Sequence, residues 1–288
     1  MTESLLSRFG KIPDIHQNPL YAQAMQHIGW KVLGKKGSYL YLRKLGPLCV
    51  GRIQNNKTLD LAWLKQARKE NHILTTYVEP GLTQTHFNQI GFKVEPFANS
   101  KTALVDLTLS PKTLLSSFKQ KTRYNINLAI RKKELKIVTK LFKNLTSQEL
   151  SIFQTSRQNW SKRKHIIGYE ENFILALIKS FADSGYLHFA YHHNDCVATL
   201  MILQNKNSAI YYAAFSENLG YHLYAPTLLT WTAITNAQKQ GCTIFDFGGI
   251  YDERYKKMYK NWQGFTKFKE GFSPTIVYYP PTQLLLGW

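Results

Sequence analysis

The apolar runs in Ser38–Lys44 and Leu48–Ile53 read as strands. A helical pattern follows from about Thr58 to Asn71, with Leu59, Ala62, Trp63 and Ala67 on one face. A strand over His72–Val78, a turn at Pro80-Gly81, a short helix over Gln84–Ile90 and a strand over Thr102–Leu107 complete one α/β unit. From Pro111 a basic helix runs to about Lys133 and gives way to a short strand, Leu135–Val138. Helix Glu171–Ser184 puts Ile174, Leu177, Ile178 and Phe181 at i, i+3, i+4 and i+7 and stops at Gly185. Tyr186–Tyr191, Cys196–Leu203 and Ala209–Phe215 read as strands joined by the turns His192–Asp195 and Asn205–Asn207, so an antiparallel meander is expected. Pro226 and Gly241 bracket a helix over Thr227–Gln240, and a strand over Thr243–Phe247 runs into Gly248-Gly249.

Both halves repeat strands, helix, strand, which predicts two related α/β domains built on mixed sheets flanked by helices. With 288 residues, 44% of them hydrophobic, the chain can fill a real core. Cys49, Cys196 and Cys242 are odd in number and far apart, which predicts reduced thiols rather than a disulfide framework. The opening Met-Thr-Glu-Ser is not a basic then apolar leader, and no run approaches about 18 apolar residues. A cytoplasmic protein is expected, with peripheral membrane contact left open through basic charge alone.

Charge changes the picture most. The net charge is +19, from 37 Lys and Arg against 18 Asp and Glu, which implies an anionic partner. Residues 111–145 hold ten basic side chains and one acid, Glu134; Lys162-Arg163-Lys164 adds three; residues 254–269 hold six and no acid. In the last segment Tyr255, Tyr259, Trp262, Phe265 and Phe268 interleave with the basic residues, a mixture that suits single-stranded RNA: rings stack bases and ammonium groups meet phosphates. Helical or strand spacing places the same rings in a core equally well.

Leu104–Leu107 leading into Lys119–Ala129 with its K-x-R-x-x-I-x-x-A pattern, Tyr211-Tyr212, the helix from Pro226 through Trp231 to Gly241, Phe245–Ile250, and Phe268–Phe272 stand in this order along the chain. Together they resemble the Fem family of peptidoglycan cross-bridge enzymes. Ser273-Pro274 stands where a Gly pair is usual. The resemblance implies two GNAT-like acyltransferase domains without a helical arm, the first over 1–104 completed by 263–288 and the second over 105–262. It implies an aminoacyltransferase that moves an amino acid from aminoacyl-tRNA to the stem peptide of a peptidoglycan precursor, UDP-linked or lipid-linked. Phe268 and Lys269, with Lys267, would hold the tRNA 3′ end. Arg163, which follows Trp160 in a block resembling the family's phosphate-binding arginine region, would bind the precursor with Arg123, Lys119, Lys31 and Tyr212. Lys31 is the nearest match to the family's N-terminal phosphate-binding lysine.

The attacking amine of such a precursor must lose a proton, at a cost of about 4–5 kcal/mol for an ordinary lysine-like amine at neutral pH, so an acceptor is needed. Lys269 and Asp246 are the catalytic candidates; Asp246 serves either as that acceptor or as the carboxylate that orders the Gly248-Gly249 turn. No cofactor or metal is called for: P-loop, H-E-x-x-H and G-x-S-x-G patterns are absent, and the nine histidines lack metal-ligand spacing. Two rivals stay open. An acyl-CoA-dependent GNAT-type N-acyltransferase shares the expected fold, although a Gly-rich pyrophosphate loop is missing; a non-catalytic RNA-binding protein would need only the clustered charge.

Overall fold

The computed structural model describes residues 3–35, 37–46, 48–57, 59–82, 90–96, 99–164 and 170–287. They form a mixed α/β molecule with two mixed sheets flanked by helices, as expected. The chain divides into two compact units, residues 1–102 with 249–263 and 276–288, and residues 103–248 with 264–275.

The first unit opens with two helices that the sequence pattern did not predict, α1 (Leu5–Lys11) and α2 (Pro19–His27). Their signals are local: the Ser4 side chain accepts from Ser7 N–H, and the Asn18 side chain accepts from Leu20 N–H ahead of Pro19. Strands β1 (Lys31–Lys35), β2 (Ser38–Leu45) and β3 (Leu48–Asn56) run antiparallel. β3 then connects through α3 (Leu61–Glu70) to the parallel β4 (Ile73–Pro80). The strand order is β1-β2-β3-β4-β13-β5, with β5 at Phe92–Lys93 and β13 at Gln283–Leu286, so the C-terminal strand completes the N-terminal sheet. Leu40, Leu42, Ile53, Leu64, Ile73 and Val78 fill its core. The short helix expected from Gln84 lies outside the described residues.

The second unit carries β6 (Lys101–Asp106), then α4 (Pro111–Ser117) and α5 (Gln120–Lys132) where one basic helix was expected. The break falls at Phe118, which is buried, and at Lys119, whose N–H donates to the Gly271 carbonyl at 2.9 Å. β7 (Lys136–Leu141), α6 (Ser147–Lys164), α7 (Glu171–Ser180), β8 (Gly185–His192), β9 (Asp195–Asn205) and β10 (Ser208–Ser216) follow; β8 to β10 form the expected antiparallel meander, and β7 pairs antiparallel with β8 at its edge. The short α8 (Asn218–His222) and the longer α9 (Ala225–Lys239) lead to β11 (Ile244–Gly249), which pairs with β10 in parallel. The strands of this unit run in the order β6-β11-β10-β9-β8-β7. α10 (Gln263–Lys269) and a 3-10 turn (Glu270–Phe272) precede β12 (Thr275–Tyr278).

Helix α6 has no apolar stripe to announce it, because its inward face is mostly polar: Phe153 is joined by buried Gln154, Ser156 and Arg157. A capping box marks its start, with Thr146 N–H donating to Glu149 Oε2 at 2.9 Å and Glu149 N–H donating to Thr146 Oγ1 at 3.1 Å.

Candidate functional site

Strand β11, helix α10 and the turn after it converge on one side chain. Phe268 and Lys269 occupy the last two positions of α10. Lys269 is only 7% exposed, and its Nζ donates to the Phe247 carbonyl of β11 at 2.7 Å. Two rings face the amine, that of Phe265 at 4.9 Å and that of Tyr211 at 5.5 Å. Removing a lysine from water disfavours its charged form, and this desolvation lowers the Lys269 pKa to about 7; the Asp246 carboxylate opposes part of the fall. Burial raises the pKa of the Tyr211 hydroxyl.

The floor of the site is aromatic. Phe272 lies 5.3 Å from Phe247, 5.1 Å from Phe118 and 5.5 Å from Phe268, centroid to centroid, and Phe118 meets Trp231 of α9 at 5.7 Å. These edge-on and tilted pairs fix the backbone of β11, from which the Phe247 carbonyl reaches Lys269. Gly271 is required by close approach: a Cβ there would meet Thr122 Oγ1 of α5 at 2.4 Å.

Asp246 is buried, and its Oδ1 accepts from Gly248 N–H at 2.8 Å, with Gly248 at a φ of 66°. Its carboxylate therefore orders the turn that ends β11, while its charge is felt at Lys269. Tyr212 was singled out from the sequence, but the ring brought to Lys269 is that of its neighbour. The register between β10 and β9 shifts from Tyr211 to Ala213, so Tyr212 is the bulged residue.

The other candidates are dispersed. Lys267 is exposed on α10 and Lys119 is exposed ahead of α5. Arg123 donates to the carbonyls of Ser116, at 3.2 Å, and Phe118, holding the end of α4. Arg163 pairs with Glu217 and donates to the Ser216 carbonyl at 2.5 Å, tying the end of α6 to the end of β10. Lys31, in the first unit, donates to Asn71 Oδ1 at 2.8 Å. In the aromatic and basic run over 254–262 the rings and Arg254 are structural, while Lys256, Lys257 and Lys260 are exposed. Tyr259 is 1% exposed, and Arg254 joins Asp252 to the carbonyls of Ser100 and Tyr279. The thiols are free, with Cys49 and Cys242 buried. Among the described residues no group of three or more His, Cys, Asp or Glu is placed to hold a metal, and no helix is long and apolar enough to cross a membrane.

Residues 192–282 match the family model of the FemAB family. The resemblance to the Fem family holds. The matched segment includes β9 to β11, α10 and the Phe268–Phe272 turn, and so Tyr211, Asp246, Phe247 and Phe265 as well as Lys269. No curated protein matches the sequence. Among solved structures, one described as "Crystal structure of FemX" superposes with a TM-score of 0.78 at 12% identity, over 99% of this chain and 96% of that one. The C-terminal domain of a putative lysylphosphatidylglycerol synthetase from Agrobacterium fabrum gives 0.65 at 15% identity, over 94% and 88%. A tandem GNAT protein from the clavulanic acid biosynthesis pathway gives 0.54 at 8% identity, over 89% and 81%. At these identities the likeness is one of fold, and the fold is GNAT-like.

Proposed function

We propose that the protein is an aminoacyltransferase that moves an amino acid from aminoacyl-tRNA to the stem peptide of a peptidoglycan precursor. The observation that supports this reading is Lys269, a nearly buried amine with its pKa lowered to about 7, set beside β11 in the segment that matches the FemAB family. A group that titrates near the working pH is suited to accept a proton and return it.

In the proposed reaction the stem-peptide amine attacks the ester carbonyl of the charged tRNA. The new amide C–N bond forms, the ester C–O bond breaks, and the ribose oxygen leaves. Neutral Lys269 takes the proton from the attacking nitrogen and returns it to the departing oxygen, so the enzyme ends as it began. The Phe247 carbonyl orients the amine without neutralising it, and the Phe265 and Tyr211 rings keep water away. Contact with tRNA phosphate falls to exposed Lys267, one residue from the half-buried Phe268 ring that would meet a terminal base. Lys119, Arg123, Arg163, Lys31 and Tyr212 remain the candidates for holding the precursor; Arg163 would have to exchange Glu217 for a phosphate to do so. The cytoplasm, where charged tRNA is made, is the proposed location.

A donor competition tests this reading. The protein is incubated with mixed charged tRNAs, acyl-CoAs and both UDP-linked and lipid-linked precursors, and the products are weighed by mass spectrometry. Consumption of charged tRNA with an aminoacylated precursor is the expected result. Consumption of acyl-CoA would move the protein to the N-acyltransferases, and consumption of neither donor would leave an RNA-binding protein.

A further inference from the structure

A second basic feature lies in the same unit, away from Lys269. An open cavity of about 600 Å³ is lined by Lys133, Glu134 and Leu135 from the turn between α5 and β7, Lys136 at the start of β7, Tyr191 and His192 at the end of β8, and His193 in the turn that follows. The two histidine rings meet edge to face at 4.2 Å. Glu134 is its one acid and stands 3.8 Å from Lys132, so it balances a neighbour rather than the cavity. Lys133 has a φ of 55° and His193 a φ of 52°. In this left-handed region glycine or asparagine is the easy choice, and after a helix the easy choice is glycine. Here two groups that carry or accept positive charge occupy both positions.

We propose that this cavity holds the phosphodiester backbone of the donor RNA, at a point in its acceptor stem beyond the aminoacylated 3′ end. Helix α5 leads from one site to the other. Its first turn is held by the Gly271 carbonyl, two residues from Lys269, and its last residue opens into Lys133. Thirteen residues of helix span about 20 Å. The sheet gives the same separation: β11 and β7 are four strand spacings apart, about 19 Å. Lys119, Lys121, Arg131 and Lys132 are exposed along the way. Glu134 is the only acid among residues 111–145. A backbone lying on such a track meets charge throughout and no base-reading array, so contact is independent of sequence. Half-buried Tyr191 offers a ring edge to a ribose, and the two lysines meet the phosphates.

The inference deepens the aminoacyl-tRNA reading and rests on it for the identity of the RNA, so its test uses binding as well as transfer. A variant carrying Lys133→Gly, Lys136→Gln, His192→Gln and His193→Asn removes the charge while keeping residues that suit the left-handed positions, and its melting temperature is expected to match or exceed the native one. Fluorescence anisotropy with a labelled RNA hairpin copying an acceptor stem should show affinity at least tenfold weaker than native. Transfer from a 3′-aminoacylated dinucleotide, too short to span from Lys269 to the cavity, should be unchanged. Hairpin affinity within twofold of native overturns the inference. Equal loss with hairpin and dinucleotide also overturns it, as a defect of the whole domain. Loss of binding to vesicles containing anionic phospholipid, with hairpin affinity intact, overturns it in favour of a membrane surface. If the native protein transfers nothing yet binds the hairpin through these four residues, the cavity stands and the aminoacyl-transfer reading falls.

Discussion

Lys269 is held where water scarcely reaches it, and the cost of that position is measurable. Its pKa of about 7 lies below the ~10.4 of an unfolded lysine, so between those values the folded chain binds fewer protons and stability rises with pH. Below about pH 7 the amine is charged in both states and its burial penalty is fully present. Lys269→Met should therefore stabilise the protein by a few kcal/mol at pH 6–7, since each tenfold loss of proton affinity on folding costs about 1.4 kcal/mol, and the gain should shrink towards pH 10. Denaturant unfolding at pH 6, 8 and 10 checks this, and a variant less stable than the native protein at all three would contradict the buried amine. Asp246→Asn tests the neighbouring charge. Its amide oxygen can still accept from Gly248 N–H, so the turn survives, but the carboxylate that raises the Lys269 pKa is gone. The ascending limb of the pH–rate profile should then move to lower pH; an unmoved limb would mean that the two groups are not coupled. Sequence alone singled out Lys269 and Asp246 through the Phe268–Phe272 and Phe245–Ile250 segments. It made Lys269 both a catalytic candidate and a ligand of tRNA phosphate, and gave no sign of its burial, because burial of a lysine leaves no mark in the residues beside it. It did not point to Tyr211 as the ring beside Lys269, and the bulge at Tyr212 is equally invisible in the residues.

At the scale of elements, α5 is placed by a contact between two segments far apart in sequence. Gly271 approaches Thr122 so closely that Gly271→Ala would drive its methyl into Thr122 Oγ1. Overpacking of this kind costs typically about 1–3 kcal/mol. Thr122→Ala removes the clashing atom, so the double variant should recover most of that loss, and thermal melts of the four proteins in the cycle measure the coupling. Additive losses would show that α5 does not rest on this turn. The meander β8 to β10, α9 and β11 were legible because their apolar positions repeat and their ends carry turn residues. The division of the long basic helix into α4 and α5 was not, since it depends on Phe118 entering a core assembled by Phe247 and Phe272. Helix α6 was hidden by its polar inner face, although the Thr146–Glu149 capping box was there to be read.

For the molecule as a whole the net charge of +19 is what the proposed association with RNA would draw on. Displacement of counterions from phosphates makes such binding steeply salt-dependent, by about 0.9 in log affinity per log salt for each phosphate neutralised on a duplex. A tRNA affinity measured from about 50 to 200 mM salt should fall at least tenfold, and a flat response would remove the electrostatic account of the basic clusters. Two α/β units with mixed sheets followed from the order of elements, while the GNAT-like fold and the return of the C-terminal strand β13 to the first sheet became visible only through the family resemblance. The central claim is that Lys269 carries the proton of aminoacyl transfer. The most direct measurement is the single-turnover rate of transfer from charged tRNA to the precursor between pH 5.5 and 9, in the native protein and in Lys269→Met. The native rate should rise through about pH 7 and level off, with the variant at least tenfold slower at the plateau and without that limb. A folded variant that keeps both the rate and the limb would contradict the central claim.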